Sequence, residues 1–173
     1  MIKHTVYIMR GLPGSGKSTE AGMILAGLRA SGLKAEIVSS DFFFTCRSCG
    51  DYRFRLQLLP IAHQWCRDEF ARHLRDGVDA VIVDNTNIST AECKFYVQQA
   101  LAYHYAVEFK EPFSDWAFDI DRLEKRNAHG VPRQALEKML ARWVPCMTIE
   151  KALAATGTPD SAHCDEKAAA GLI

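Results

Sequence analysis

Eight residues near the start of the chain, Gly11-Leu12-Pro13-Gly14-Ser15-Gly16-Lys17-Ser18, match the pattern G-x-x-x-x-G-K-[ST] and could cradle an anion. Glycines let the backbone turn its N–H groups inward, and a helix that starts behind such a loop aims its positive dipole end at the same point. Lys17 could then reach terminal phosphates, and the Ser18 hydroxyl could serve Mg²⁺, which takes oxygen ligands. Two acids extend the chemistry. Asp84 closes the apolar run Val81-Ile82-Val83, where a carboxylate could hold Mg²⁺ directly or through water, or simply cap the next helix. Asp41 ends the run Ser39-Ser40-Asp41, where a carboxylate could orient an acceptor hydroxyl and take its proton, or merely turn the chain.

Positive charge is local. From Asp121 to Arg142 there are six cations (Arg122, Lys125, Arg126, Arg133, Lys138, Arg142) and three anions (Asp121, Glu124, Glu137) in a chain whose formal net charge is zero. Arg122 and Arg126 are four residues apart and share a helix face, so both could point at phosphates; an ordinary solvated face would show the same spacing. A second basic-aromatic stretch holds Phe42, Phe43, Phe44, Arg47, Tyr52, Arg53, Phe54 and Arg55. It suits either a phosphate backbone with stacked bases or a loop whose aromatics pack on the domain.

These residues need a scaffold, and the apolar pattern supplies one. Runs over Thr5 to Met9, Ala35 to Ser39, Ala80 to Asp84 and Ala106 to Phe109 read as buried parallel strands separated by helix-length segments. Helices are expected over Thr19 to Ala30, Pro60 to Arg75, Thr90 to Tyr103, Asp115 to Ala128 and Arg133 to Val144. Such alternation predicts an α/β fold, a parallel sheet with helices on both faces. In an open parallel sheet the ligand lies beyond the carboxyl ends of the strands, where the loop, Asp41 and Asp84-Asn85-Thr86-Asn87 all fall.

The 173 residues, 48% apolar and 24% charged, fit one globular domain. The expected organisation is a domain over residues 1–145 with a lid at about 115–133, then a helical patch and a frayed tail over 146–173. No run is long enough to span a membrane, and Met1 to Arg10 lacks the order of a signal peptide, so a cytoplasmic protein is expected. The six cysteines show no disulfide framework, and free thiols are expected. Cys46-Arg47-Ser48-Cys49, with His63 and Cys66, has the make-up of a zinc knuckle, although one C-x-x-C pair alone is a weak signal. His129, before a Gly-x-Pro turn, reads as a hinge residue.

Several segments together carry a resemblance. Arg10 through Thr19, Ser39-Ser40-Asp41, Asp51-Tyr52-Arg53-Phe54, Ala62-His63, Val83-Asp84-Asn85-Thr86-Asn87, Glu111-Pro112, Arg126-Asn127-Ala128-His129-Gly130-Val131-Pro132 and Met139 through Trp143 resemble the polynucleotide 5′-hydroxyl kinase-like P-loop family. The resemblance implies a three-layer P-loop fold with a helical lid, and an ATP- and Mg²⁺-dependent transfer of phosphate to a hydroxyl. It implies Lys17, Asp41 and Arg126 as catalytic residues, with Asp41 as general base and Arg126 as lid arginine. The nucleotide would bind Gly11, Pro13, Gly14, Ser15, Gly16, Lys17, Ser18, Thr19 and Arg122; the metal, Ser18 and Asp84; the acceptor, Arg53, Asn85, Asn87 and Arg133. The chain departs from phage polynucleotide kinases at Phe42 and Phe44, where those enzymes carry Asp and Arg, and at Asn85, where they carry an acid. Those differences concern the acceptor rather than phosphoryl transfer. The expected acceptor is a nucleic acid, DNA or RNA, at a 5′-hydroxyl end; hydroxymethylated uracil in DNA, a small molecule, or no acceptor at all in an ATP-dependent binding module are the alternatives.

Overall fold

The computed structural model describes residues 4–45 and 50–156. Four parallel strands, β1 (Thr5–Met9), β2 (Ala35–Val38), β3 (Ala80–Val83) and β4 (Ala106–Lys110), form one sheet in the order β2-β3-β1-β4. Strand alternation then sorts the apolar side chains into two layers. Val6, Ile8, Val81 and Val83 face a cluster with Cys66, Phe70 and Leu74 of α2 (Leu59–Arg75) and Cys93, Tyr96, Val97 and Ala100 of α3 (Thr90–Ala102). Met9 and Ile82 point the other way, onto Ala21, Ile24, Leu25 and Leu28 of α1 (Lys17–Ala30). The expected sheet with helices on both faces is therefore present.

Register brings the chemistry to one edge. Ile8 pairs with Val83 and Met9 with Lys110, so the chain leaves β1 at Arg10 beside the point where β3 ends at Asp84. The Gly11 N–H donates to Thr86 O at 2.9 Å, tying the loop after β1 to the loop after β3. A 3₁₀ turn over Ser40–Phe44 follows β2, with the Ser39 hydroxyl accepting from the Asp41 N–H. A third cluster outside the sheet joins Leu12 and Ile88 to α4 (Ile120–Arg126) and α5 (Arg133–Ala141) through Leu123, Leu136 and Met139. This helical unit, named the lid for its position, packs on the phosphate loop through an apolar cluster of its own.

Three expectations need correction. The helix expected from Asp115 begins only at Ile120, because 115–118 form a turn and the Asp119 side chain caps α4 by accepting from the Arg122 N–H. It ends at Arg126, where the Asn127 carboxamide accepts from the Val131 N–H and donates to Glu124 O, closing the turn at Gly130. The helix expected to reach Val144 stops at Ala141, since the Val144 N–H is drawn to Ile88 O at 3.0 Å. The C-terminal helical patch is α6 (Ile149–Leu153), whose Ala152 is buried in the cluster with α3. The tail from residue 157 lies outside the described residues, as do Cys46 and Cys49 of the zinc reading. Among the described residues no helix is long and apolar enough to cross a membrane, and Cys66, Cys93 and Cys146 are free thiols.

Candidate active site

A cavity of about 320 Å³ opens at the carboxyl edge of the sheet, walled by the phosphate loop, the 3₁₀ turn, the β3–α3 loop and the lid. The loop contributes Pro13, Gly14, Gly16, Lys17, Ser18 and Thr19. Gly14 has a left-handed backbone (φ +83°), and a Cβ there would stand 2.6 Å from Leu123 O and 3.0 Å from Asn127 N, so only glycine lets the lid backbone seat on the loop. Gly16, also left-handed (φ +98°), caps α1 with no heavy atom within 4 Å of a built Cβ. Lys17 Nζ lies 3.5 Å from Ser18 Oγ and 3.6 Å from Asp84 Oδ1. That Asp84 oxygen is buried and accepts no hydrogen bond; its counter-charge is the Lys17 ammonium, which also reaches the Ser18 hydroxyl. A hard cation with oxygen ligands fits Asp84 and Ser18.

Across the cavity from the loop, Asp41 is held from two directions. The Tyr52 hydroxyl donates to Asp41 Oδ1 at 3.1 Å, and His129 Nε2 of the lid lies 3.7 Å from Oδ2. Tyr52 is fixed by a bridge to Thr45, and its ring packs 4.8 Å from that of His129. Burial, together with the Asp41 charge, pushes the Tyr52 phenol well above its ordinary range, so it remains a donor. Asn85 stands behind the turn: its Oδ1 accepts from both Ser40 N–H and Ser40 Oγ at 2.9 Å, and its amide donates to Tyr96 OH and Cys66 Sγ. Burial pushes the Cys66 thiol up, which keeps it a neutral partner.

The structure gathers Lys17, Ser18, Asp41, Asn85 and Arg126 around the cavity, with Asp84 behind Lys17. It does not bring six other expected residues to the wall. Asn87 is buried and donates to Met9 O at 2.7 Å, which makes it a strut between β1 and the β3–α3 loop. Arg53 is exposed and pairs with Asp51. Arg133 is held by Asp121 and Glu137, and Arg122 by Asp115, so much of the lid's positive charge is neutralised within the lid. Gly11 and Ser15 are buried beneath the loop rather than lining it. The aromatic stretch is divided: Phe44 packs with Phe43, Phe54, Leu59 and Ala62, while Tyr52 serves Asp41.

Residues that local sequence does not announce complete the wall. Tyr52, Leu59, His63, His129, Val131 and Met139 line the cavity, and His129 is a site residue as well as a turn residue. Beneath them, Arg10 is fully buried: it donates through Nε to Asn87 O, through Nη2 to Ile88 O and Val144 O, and through Nη1 to Glu111. Its position directly before the loop was the available signal.

Residues 6–146 match a family model described as an AAA domain. The chain belongs to this family of P-loop proteins. It is 33% identical over 135 residues to NEDD4-binding protein 2 of Homo sapiens, covering 78% of this chain and 7% of that protein. It is 29% identical over 136 residues to 2′,3′-cyclic-nucleotide 3′-phosphodiesterase of Mus musculus, covering 78% of this chain and 30% of the relative. The chain thus spans less than a third of either relative. Among solved structures, the Pnkp1/Rnl/Hen1 RNA repair complex contains a chain with a TM-score of 0.59 at 21% identity, over 82% of this chain and 44% of that one. APE1195 aligns with a TM-score of 0.57 at 18% identity over 97% of both chains, so the whole fold recurs there. The family match and the shared fold make this a P-loop domain.

Proposed function

We propose that this protein transfers the γ-phosphate of ATP to a hydroxyl on a nucleic acid, with a 5′-hydroxyl end as the acceptor. The observation that carries the reading is the convergence of Lys17, Asp41 and Arg126, from three separate segments, on one cavity. A carboxylate facing the phosphate loop across a cavity suits an acceptor hydroxyl, which a nucleotide-switched binding module would not need. The likeness to a chain of an RNA repair complex supports a polynucleotide acceptor.

Each residue then has a distinct task. The loop N–H groups and Lys17 bind the triphosphate, and Arg126 places positive charge on the equatorial oxygens of the transferring group. The acceptor hydroxyl approaches Asp41 at Oδ2, beside His129, because Oδ1 accepts from Tyr52. Its proton passes to Oδ2 as its oxygen bonds to the γ-phosphorus and the bond from that phosphorus to the bridging oxygen breaks, releasing ADP. Ser18 and Asp84 would hold Mg²⁺, which when bound neutralises charge on the β- and γ-phosphate oxygens. Closure of the lid over the bound nucleotide excludes water from the transfer, so that hydrolysis does not compete.

The test is transfer of γ-labelled phosphate from ATP to DNA and RNA with free 5′-hydroxyl ends, to end-blocked strands, and to end-blocked DNA bearing hydroxymethylated pyrimidines. Label on free ends is expected, with K17A inactive and D41A slowed by about 10²- to 10⁴-fold. Normal transfer by D41A removes the base assignment. Label on end-blocked hydroxymethylated DNA reassigns the acceptor to a base, and label on no polymer refutes the nucleic-acid reading.

A further inference from the structure

Trp116 belongs to none of the motifs above, yet it joins the two halves of the nucleotide site. Its segment leaves β4 and turns back over the phosphate loop before α4 begins. Two side chains of that turn donate to loop carbonyls: Ser114 Oγ to Ser15 O at 3.0 Å, and Trp116 Nε1 to Gly14 O at 3.2 Å. The face of the same indole carries the lid's cations. The Arg126 guanidinium lies 4.0 Å from the ring centroid and that of Arg122 lies 5.3 Å away.

The two arginines differ in what else restrains them. Arg122 has an ion pair with Asp115 at 2.8 Å. Arg126 is exposed and makes no hydrogen bond to a carboxylate among the described residues; the Asp115 charge is felt at longer range, and the indole is the surface its guanidinium packs on. A long side chain at an exposed position samples many rotamers, and a guanidinium over an aromatic face loses that freedom in advance. Charge held in place before the reaction stabilises a transition state more than charge that must first be collected. Trp116 does not line the cavity; it reaches the site through the Gly14 backbone and through the Arg126 guanidinium, the charged group that it positions.

We propose that Trp116 is a positioning residue that couples docking of the lid turn on Gly14 to placement of the Arg126 guanidinium over the phosphate loop. This rests on the reading of Arg126 as the arginine that serves the transferring phosphate. The consequence is specific: losing the indole is felt in turnover, not in ATP binding, and only while Arg126 is present.

The experiment is a double-mutant cycle on the full chain, with kcat and KM for ATP measured for W116F, W116L, R126A, W116F/R126A and W116L/R126A, and thermal melts of each. W116L is expected to lower kcat by roughly 10- to 100-fold with KM for ATP within about twofold of the parent chain. W116F keeps an aromatic face and loses the N–H, and is expected to recover part of the turnover. In the R126A background neither substitution lowers kcat further. If W116L melts below the assay temperature, the W116F half of the cycle carries the same comparison. Equal kcat for W116F, W116L and the parent overturns the proposal. So does a loss of the same size with and without Arg126, the pattern of a purely structural residue. Full turnover by R126A overturns the reading of Arg126 and this proposal with it, an outcome distinct from an active arginine with an additive tryptophan.

Discussion

Arg10→Met replaces the buried guanidinium with an apolar chain of similar length, and the structure sets the size of the effect. The side chain is 0% exposed and donates to Asn87 O at 3.0 Å, Ile88 O at 3.2 Å and Val144 O at 2.7 Å, besides its pair with Glu111. Its guanidinium also lies 4.2 Å from the Trp143 ring centroid. A buried acceptor left without a donor costs about 1–3 kcal/mol, and breaking one side of a buried charge pair about 3–5 kcal/mol. These terms overlap, since one guanidinium serves every acceptor, and the Glu111 side chain is 39% exposed, so water can solvate the carboxylate left behind. A net loss of about 4 kcal/mol follows. At roughly 2–4 °C per kcal/mol for a chain of this size, the melting temperature drops by about 8–16 °C. Urea unfolding followed by circular dichroism, with thermal melts, measures it without nucleotide. Glu111→Gln keeps an acceptor for Arg10 Nη1 but leaves the buried guanidinium without its carboxylate, and should cost a smaller part of that loss, about 1–3 kcal/mol. A loss below about 1 kcal/mol for Arg10→Met would mean that the carbonyls find other donors and that Arg10 does not hold the loop's base.

Three further outcomes are expected. Gly14→Ala should lower the melting temperature more than Gly16→Ala: both carry left-handed strain of about 1–2 kcal/mol, but only at position 14 does the new Cβ meet lid backbone. Equal melting temperatures would show that the lid does not rest on Gly14. Tyr52→Phe deletes the hydroxyl on Asp41 and keeps the ring on His129, so steady-state kinetics should show kcat falling about tenfold with ATP binding unchanged; an unaltered kcat would remove Tyr52 from the mechanism. Burial raises the Glu92 carboxyl above its ordinary 4.5, while Arg142, the Ile88 N–H and two hydroxyls work the other way. The folded chain therefore binds this proton more tightly than the unfolded one, and the group's contribution to stability falls as pH rises from about 4.5 through the native value. Glu92→Gln should flatten that limb of the unfolding free energy measured against pH, and an unchanged slope would count against it.

Local pattern carried the scaffold. The strands appear within a residue of their expected ends, and every member of the α2 stripe Leu59, Ala62, Cys66, Phe70 and Leu74 is buried, because alternation and three-to-four spacing are set by backbone geometry. The loop from Gly11 to Ser18 was equally legible, since its glycines and Lys17 meet a requirement that lies within eight residues. Charge was read less well. Counting cations from Asp121 to Arg142 showed a basic lid, whereas pairing shows that Arg122, Arg133 and Arg142 each face a carboxylate, and a count has no way to know its partners.

The P-loop, the four strands that carry it and the acids at their ends are properties of neighbours along the chain, and residue order alone specifies them. Which distant groups meet is a matter of packing. Asp41 gains Tyr52 and a lid histidine, 11 and 88 positions away; Arg10 finds acceptors at Asn87, Ile88 and Val144; Trp116 bridges Gly14 and Arg126. Those meetings depend on the strand order β2-β3-β1-β4 and on its register, which bring the ends of β1, β2 and β3 to one edge, with α4 and α5 packed beside them. A short stretch of sequence encodes its own conformation and apolar face; its distant partners are selected by the packing of the whole sheet.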